Sequence, residues 1–116
     1  MSPLSRLQEE LGPERTLELH EAGDVPLVDV REQHEWDAGR IPGARHIPVG
    51  ALSEQAGSLD RDKPVVFYCL SGSRSSMATQ AFNASGFDAH NMTGGIAAWN
   101  ANGLPLEPED GRVAEH

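Results

Sequence analysis

The sequence predicts an α/β domain with a mostly parallel sheet, on three observations. Short apolar or β-branched segments alternate with stretches of helical pattern along the chain. Residues 65–68 are apolar or aromatic throughout, which suits a strand buried on both faces, as strands of parallel sheets are. Glycines and prolines separate the segments. Together these features predict parallel strands joined by helices.

The first half of the chain contains a helix that starts at Pro13, where a missing N–H does no harm, and ends near Gly23. It is followed by a strand over residues 25–30, a short helix over 31–36, a strand over 45–49 and a weaker helical stretch over 53–59. Pro42 and Gly43 occupy the two central positions of a predicted type II turn. These elements form the first strand–helix repeats of the fold.

The second half continues the alternation. The predicted elements are a strand over residues 65–68, a helix over 73–84 that ends before Gly86, a strand over 88–92 and a helix over 95–102 between Gly94 and Gly103. In such a sheet, ligands bind outside the carboxyl ends of the strands. Cys69 follows the most apolar strand and therefore lies where a site is expected.

Length and charge limit the classes of function. With 116 residues and a formal net charge of −9, the chain is long enough for one domain and lacks the basic surface that binds nucleic acid. We predict a single domain over residues 1–106 and an acidic, disordered tail over residues 107–116. The acidic excess favours solubility over a docking role.

The number of cysteines and the pattern of apolar residues predict the cellular compartment. One cysteine cannot close an internal disulfide, and an unpaired thiol suits a reducing compartment, with the cytoplasm as the default. Residues 1–7 lack the apolar region of a secretory signal, and no stretch approaches the ~20 apolar residues of a membrane span. The sequence therefore predicts a soluble cytoplasmic protein with no membrane partner.

Cys69 is the candidate nucleophile, because it lies between a buried strand and the start of a helix. Loop N–H groups and the positive end of the helix converge on such a sulfur, lower the pKa of the thiol and attract anions. Gly72 permits a tight loop, and Arg74 is predicted to bind an anionic substrate with its forked guanidinium. The predicted substrate-binding residues are Leu70, Ser71, Gly72, Ser73, Arg74 and Ser75, although Ser75 or Ser76 also suits a helix cap.

Four segments, in chain order, carry a resemblance to a known family. They are Leu27-Val28-Asp29-Val30-Arg31-Glu32 with His34-Glu35-Trp36 and Gly39; Arg40-Ile41-Pro42-Gly43-Ala44 running to Ile47-Pro48; Cys69-Leu70-Ser71-Gly72-Ser73-Arg74-Ser75; and Gly94-Gly95-Ile96-Ala97-Ala98-Trp99 ending at Gly103-Leu104-Pro105. In this order they resemble the rhodanese family of sulfurtransferases over most of the chain. The resemblance implies a mainly parallel, five-stranded sheet flanked by helices.

The resemblance also implies that Cys69 accepts a sulfane sulfur as a persulfide and passes it on. The donor is then a small anion such as thiosulfate, and the acceptor is cyanide or a thiol, including a thiol on a protein. Many relatives that use thiosulfate carry a basic residue directly after the cysteine, whereas this chain has Leu70. Leu70 favours an organic or protein persulfide as donor. No cofactor is needed, and no ligand spacing indicates a metal.

Two rival functions remain open. A non-catalytic module of the same fold would bind a partner or sense sulfur, although the intact Cys69 and Arg74 argue against it. A phosphatase or arsenate reductase of related fold would place five residues between cysteine and arginine, whereas four separate Cys69 from Arg74. The shorter loop favours a sulfur atom over a phosphoryl group.

Other polar and aromatic residues are assigned structural roles. Asp29 and Arg31, at the end of a strand, are expected to form an ion pair near the site. Trp36 and Trp99 are expected to be core aromatics. The histidines considered as proton carriers, and assigned to structure or surface because a thiolate of low pKa needs no general base, are His34, His46 and His90.

Overall fold

The computed structural model describes residues 9–23 and 25–114. Its strands are β1 (Glu10–Leu11), β2 (Leu27–Asp29), β3 (Arg45–His46), β4 (Pro64–Tyr68) and β5 (Asp88–Met92). Its helices are α1 (Pro13–Glu21), α2 (Gln33–Ala38), α3 (Leu52–Gln55), α4 (Ser73–Ala84) and α5 (Gly95–Ala101), and two 3₁₀ turns, Val49–Ala51 and Ala56–Ser58, flank α3. The N-terminal segment considered for a secretory signal and the last two residues of the predicted tail lie outside the described residues.

The five strands form one sheet in the order β1-β5-β4-β2-β3, and every neighbouring pair is parallel. Strand β4 lies at the centre, where Val66 is opposite Leu27 on one side and His90 on the other. All five residues of β4 are buried, as its apolar sequence predicted. The predicted α/β fold with a parallel, five-stranded sheet is confirmed.

The alternation of side chains along β4 divides the core into two layers. Val65, Phe67 and Cys69 pack with α4 on one face, which we call the α4 face. Val66 and Tyr68 pack on the opposite face with the side chains of α1 and α5, which we call the α5 face. Because the period is two residues, the position of Cys69 on the α4 face follows directly from the strand that precedes it.

The predicted turn at Pro42 and Gly43 is present. The Ala44 N–H donates to the Ile41 carbonyl at 3.2 Å, and Gly43 has a φ of 81°. A positive φ at the third position defines a type II turn and favours glycine there. The turn brings the chain from α2 into β3, at the edge of the sheet.

Strand β1 has no counterpart among the predicted elements. It contains only Glu10 and Leu11, which pair with Asn91 and Met92 at the other edge of the sheet. Two residues carry no periodicity, so only the partner strand defines this element. Strand β1 brings the Glu10 side chain next to Asn91, whose Nδ2 donates to its carboxylate at 2.9 Å.

The acidic C-terminal segment has partners that its composition does not predict. Glu107 and Arg40 exchange two backbone hydrogen bonds, of 2.7 and 3.0 Å, and the Arg112 N–H donates to the Ala38 carbonyl at 2.9 Å. Val113 packs on the α5-face core. Residues 107–110 remain exposed despite these contacts, and the disorder expected for the acidic tail stays a prediction. The contacts are mainly backbone contacts, which acidic side chains do not prevent.

No helix among the described residues is long and apolar enough to cross a membrane.

Candidate active site

Cys69 lies directly after β4, four positions before the first residue of α4. The residue has no solvent-exposed surface and belongs to the α4-face core. The backbone reverses between Cys69 and Ser73, so the first turn of α4 lies over the sulfur. The structure thus places the predicted nucleophile between the end of the central strand and the start of a helix.

Three hydrogen-bond donors point at the Cys69 sulfur. The Gly72 N–H lies 3.1 Å from Sγ, the Ser75 hydroxyl 3.3 Å and the Ser75 N–H 3.5 Å. Burial raises the pKa of the Cys69 thiol, but hydrogen bonds from Ser75, Gly72 and the Ser71 amide outweigh that effect. The net pKa of the thiol is therefore lowered, and the thiolate is favoured.

Gly72 gives the loop its shape. It precedes α4 with a φ of 105°, a left-handed conformation that side chains other than glycine rarely adopt. Gly72 occupies the N-cap position of α4 and no side-chain cap is formed, so the helix-cap alternative for Ser75 or Ser76 is not found. The Ser75 hydroxyl instead donates to the sulfur. The positive end of α4 is thereby left to interact with Cys69.

The N-terminus of α5 fixes the carbonyl groups of the loop. The Ile96 N–H donates to the Cys69 carbonyl at 2.9 Å, and the Ala97 N–H donates to the Leu70 carbonyl at 3.0 Å. Gly95 makes this approach possible, since a Cβ there would lie 2.4 Å from the Leu70 oxygen. With both carbonyls occupied by α5, the loop N–H groups are free to face the sulfur.

Arg74 has a protein partner that sequence reasoning did not identify. Its two terminal nitrogens donate to the two oxygens of Glu35 at 2.9 and 3.0 Å. The Glu35 side chain is fully buried, whereas that of Arg74 is 25% exposed. The guanidinium is thus engaged by a carboxylate, which explains how a cation is tolerated in the first turn of α4, and the substrate role of Arg74 stays a prediction.

Glu35 is itself held by the start of α2. It accepts a hydrogen bond from the Glu32 N–H at 3.0 Å and completes a capping box with Glu32. Burial raises the pKa of Glu35, but the Arg74 guanidinium and the Glu32 N–H together lower it below its usual range. The glutamate at the third position of a capping box was the available sequence signal, but that signal does not identify Arg74 as its partner.

The expected ion pair of Asp29 and Arg31 is present and fully buried, at 2.7 Å. Arg31 also donates to the Gly39 carbonyl at 2.8 Å. The pair therefore joins the end of β2 to the end of α2, the helix that carries Glu35. Neither residue contacts Cys69 through a hydrogen bond, which agrees with the structural role assigned to them.

The remaining loop residues differ in their surroundings. Leu70 is half-buried against the α5-face core, whereas Ser71 and Ser73 are exposed. Asn91, which sequence reasoning missed, donates from Nδ2 to the Gly72 carbonyl at 3.3 Å. Leu70 to Ser75 therefore surround the sulfur as a loop, in which Ser71, Gly72 and Ser75 donate hydrogen bonds to it and the charge of Arg74 also interacts with it.

The aromatic and histidine side chains lie away from the sulfur. Trp99 is fully buried, while Trp36 is half-buried and stacks on His46 with ring centroids 4.9 Å apart. His46 hydrogen-bonds the Arg31 carbonyl through Nε2, and His90 pairs with Asp88. Trp36 is thus less buried than the core role predicted for it, because it covers His46 at the edge of the sheet.

Replacing Ser75 with Ala removes the hydroxyl that donates to Sγ and leaves both backbone donors in place. We expect the pKa of the Cys69 thiol to rise, because the hydroxyl is the largest of the effects that lower it. At a pH below the pKa of the thiol, the rate of alkylation by iodoacetamide should fall by about tenfold. This is the expected effect of losing one hydrogen bond to a charged group. The pH dependence of alkylation measures this shift. Ser76→Ala is the matched control, and an unchanged pH profile in Ser75→Ala would contradict the assignment.

Replacing Glu35 with Gln removes the carboxylate that holds Arg74. We expect the free energy of unfolding to fall by about 2 kcal/mol, less than for a fully buried pair because Arg74 is partly exposed. Since the folded pKa of Glu35 is lowered, its contribution is complete above the ordinary glutamate pKa of about 4.3 and is lost as the pH falls through the folded pKa.

Urea denaturation of wild type and Glu35→Gln at several pH values measures this contribution. The difference between the two proteins should be constant from neutral pH down to about pH 5 and should shrink in more acidic solution. Glu54→Gln, at an exposed position of α3, is the control and should match wild type. A difference that grows on acidification would show that the pair does not stabilise the fold.

Comparison with known proteins identifies the family. The Rhodanese-like domain family matches residues 12–102. A putative sulfurtransferase of Bacillus subtilis, YtwF, is 42% identical over 82 residues, covering 71% of this chain and 80% of the relative. The thiosulfate sulfurtransferase GlpE of Pseudomonas putida is 31% identical over 102 residues, covering 87% and 92% of the two chains.

A solved structure supports the same conclusion. A rhodanese-related protein of Thermoplasma volcanium superposes with a TM-score of 0.79 at 28% identity, covering 85% of this chain and 97% of the other. Both comparisons match this chain to a family in which curated relatives are named sulfurtransferases. The chain belongs to the Rhodanese-like domain family.

Proposed function

We propose that this protein transfers sulfane sulfur and carries it as a persulfide on Cys69. The observation that supports this most directly is the set of three donors within 3.5 Å of Sγ. Together with the Ser71 amide, they lower the pKa of the thiol. A thiolate stabilised in this way is a nucleophile that needs no general base.

The reaction proceeds by two displacements. The Cys69 thiolate attacks the outer sulfur of a donor such as thiosulfate, an S–S bond forms, and the donor's S–S bond breaks to release sulfite. The Cys69 persulfide anion then gives its outer sulfur to cyanide as thiocyanate, or to a thiolate as a new persulfide, and the Cys69 thiolate returns. Every state carries negative charge, which the Gly72 and Ser75 donors stabilise throughout the cycle.

The Arg74–Glu35 pair argues against phosphoryl transfer. A phosphatase needs a loop arginine that is free to bind phosphate oxygens, whereas both terminal nitrogens of Arg74 are bound to Glu35. Only four residues separate Cys69 from Arg74. The loop therefore lacks both the length and the unpaired guanidinium that a phosphoryl group requires, and a single sulfur atom is the better ligand.

Access to the sulfur influences the choice of donor. Cys69 has no exposed surface, so a donor reaches it by displacing the exposed residues Ser71 and Ser73. Leu70, which follows Cys69 directly, carries no positive charge that would attract a dianion. We therefore expect an organic persulfide to be a better donor than thiosulfate. The proposed donor-binding loop is formed by Leu70, Ser71, Gly72, Ser73, Arg74 and Ser75, and Arg74 acts in it through its charge because its terminal nitrogens are bound to Glu35. A free thiol of this kind suits a reducing compartment such as the cytoplasm.

Mass spectrometry of the intact protein tests the proposal. The purified chain is exposed in turn to thiosulfate, 3-mercaptopyruvate and glutathione persulfide, and its mass is then measured. We expect a gain of one sulfur, located on the peptide that contains Cys69, which cyanide removes with release of thiocyanate. Glutathione persulfide should load the site faster than thiosulfate, because Leu70 offers no charge to a dianion.

Two outcomes would contradict the proposal and would each favour a different function. If none of the three donors adds sulfur to Cys69, the domain is a non-catalytic binding or sensing module. If the protein hydrolyses an aryl phosphate or reduces arsenate in a reaction that Cys69→Ala abolishes, the loop binds oxyanions despite its length. Circular dichroism of the same purified protein distinguishes a failure of sulfur transfer from a failure to fold.

A further inference from the structure

A groove of about 500 Å³ lies between α4 and the segment that contains α3. Leu52 and Ala56 line one wall, and Met77 and Phe82 line the other. Its volume is within the range of about 300–1,000 Å³ for small-molecule sites. Cys69 is not among the lining residues, but Arg74 of the cysteine loop is, so the groove borders the sulfur site.

The groove exposes apolar surface that the rest of the fold conceals. Met77 is 73% exposed and Val49 is 43% exposed, and these are the large hydrophobic side chains found exposed among the described residues. Both line this groove. Isolated exposed hydrophobic residues need no explanation, but two that border one concave apolar surface indicate a binding site.

The charges of the groove are opposite to those of the whole chain. The chain carries a formal net charge of −9, yet the groove is lined by two arginines, Arg61 and Arg74, and by no acidic residue among those described. Glu35 engages Arg74. Arg61 makes no ion pair with any described residue, so its charge is available to an anion.

Arg61 is also held in place. Its guanidinium lies 4.4 Å from the centre of the Phe87 ring and donates to the Ser85 carbonyl. Gly86 leaves room for it, since a Cβ at that position would approach Arg61 Nη1 to 3.3 Å. An oriented arginine loses less side-chain entropy when it binds a carboxylate than a freely rotating one does.

We propose that this groove binds a small amphipathic carboxylate, such as a medium-chain fatty acid. The apolar chain lies between Met77, Phe82 and Leu52, and the carboxylate pairs with Arg61. A neutral apolar molecule fills the groove but leaves Arg61 unused, and a cationic one is repelled. The site does not depend on the sulfur chemistry of Cys69.

Octanoate, used below the concentration at which it forms micelles, tests the proposal on the full chain. Amide chemical shifts should change in α3 and in the exposed part of α4 around Met77 and Ala81. We expect Arg61→Gln to weaken octanoate binding by about fivefold, the effect of one exposed ion pair. Lys63→Gln removes an equal charge two positions away and should leave affinity unchanged. Octanol should bind wild type about as weakly as octanoate binds Arg61→Gln.

Met77→Glu provides a second variant that leaves the core intact, because Met77 is exposed. It should weaken octanoate binding and should not weaken binding of octylamine. The proposal is overturned if octanoate shifts other parts of the protein, or if Arg61→Gln binds it as wild type does. It is also overturned if light scattering shows a dimer that covers the groove and that Met77→Glu dissociates.

Discussion

Replacing Cys69 with Ala is expected to abolish thiocyanate formation from any sulfane donor and cyanide. The variant has no atom that can accept the transferred sulfur, and the described residues offer no second thiol. The rate should fall to that of the reaction without protein, a larger effect than any change in the surrounding loop. The measurement is colorimetric detection of thiocyanate at several donor concentrations, together with the mass of the protein after exposure to donor.

The fold should survive this substitution. Cys69 belongs to the α4-face core, and the loss of one buried sulfur costs about 1 kcal/mol of packing. The Gly72 and Ser75 N–H groups also lose their acceptor, at about 1–3 kcal/mol for each buried group left unpaired. Circular dichroism and urea denaturation should therefore show a native but less stable protein.

Cys69→Ser separates the loss of the nucleophile from the loss of the hydrogen-bond acceptor. Its hydroxyl restores an acceptor for the Gly72 and Ser75 donors but is a poor sulfur nucleophile. We expect it to be more stable than Cys69→Ala and equally inactive. Residual transfer in either variant at more than the background rate would mean that the acceptor atom lies elsewhere in the chain and would refute the proposed mechanism.

The features that sequence alone predicts are those with short-range causes. The buried strand before Cys69, the helix from residue 73 and the strand over residues 88–92 are each defined by local pattern, and the structure has them at the expected positions. The side of the sheet on which Cys69 lies follows from alternation along β4. The donors Gly72 and Ser75 are within six positions of the sulfur.

The features that sequence does not predict depend on contacts between distant segments. Glu35 and Arg74 are 39 positions apart, and neither the capping box of α2 nor the start of α4 identifies the other as its partner. The same holds for β1, which exists only through its pairing with β5. The chemistry of Arg74 alone predicts a substrate role, but it does not predict the protein carboxylate with which Arg74 pairs in the structure.

The contact of α5 with the cysteine loop is another long-range feature, and it supports the prediction that Gly95→Ala severely destabilises the protein. A Cβ at Gly95 would lie 2.4 Å from the Leu70 oxygen and 2.5 Å from the Cys69 oxygen. Gly95 also has a φ of 61°, which costs other residues about 1–2 kcal/mol. Overpacking adds about 1–3 kcal/mol, so we expect a total loss of about 3–4 kcal/mol.

Gly103→Ala is the matched control for this substitution. Gly103 follows α5 and has a φ of 72°, and a methyl group added there would meet no atom within 4 Å. It therefore carries the conformational cost without the steric one. Urea denaturation should show that Gly103→Ala loses about 1–2 kcal/mol and Gly95→Ala about twice as much. Equal losses at the two positions would show that the approach of α5 to the loop is not under steric constraint.

The two glycine variants should also differ in sulfur loading. When Gly95 gains a methyl group, α5 must move away from the loop, and the Cys69 and Leu70 carbonyls lose the Ile96 and Ala97 donors. These carbonyls are then free to rotate toward the sulfur, where they repel a thiolate and raise the pKa of the thiol. Persulfide formation should therefore fall in Gly95→Ala even where the protein remains folded, and it should remain unchanged in Gly103→Ala. If Gly95→Ala is destabilised but forms the persulfide at the normal rate, the loss of stability does not affect the site. That result would show that α5 does not orient the loop.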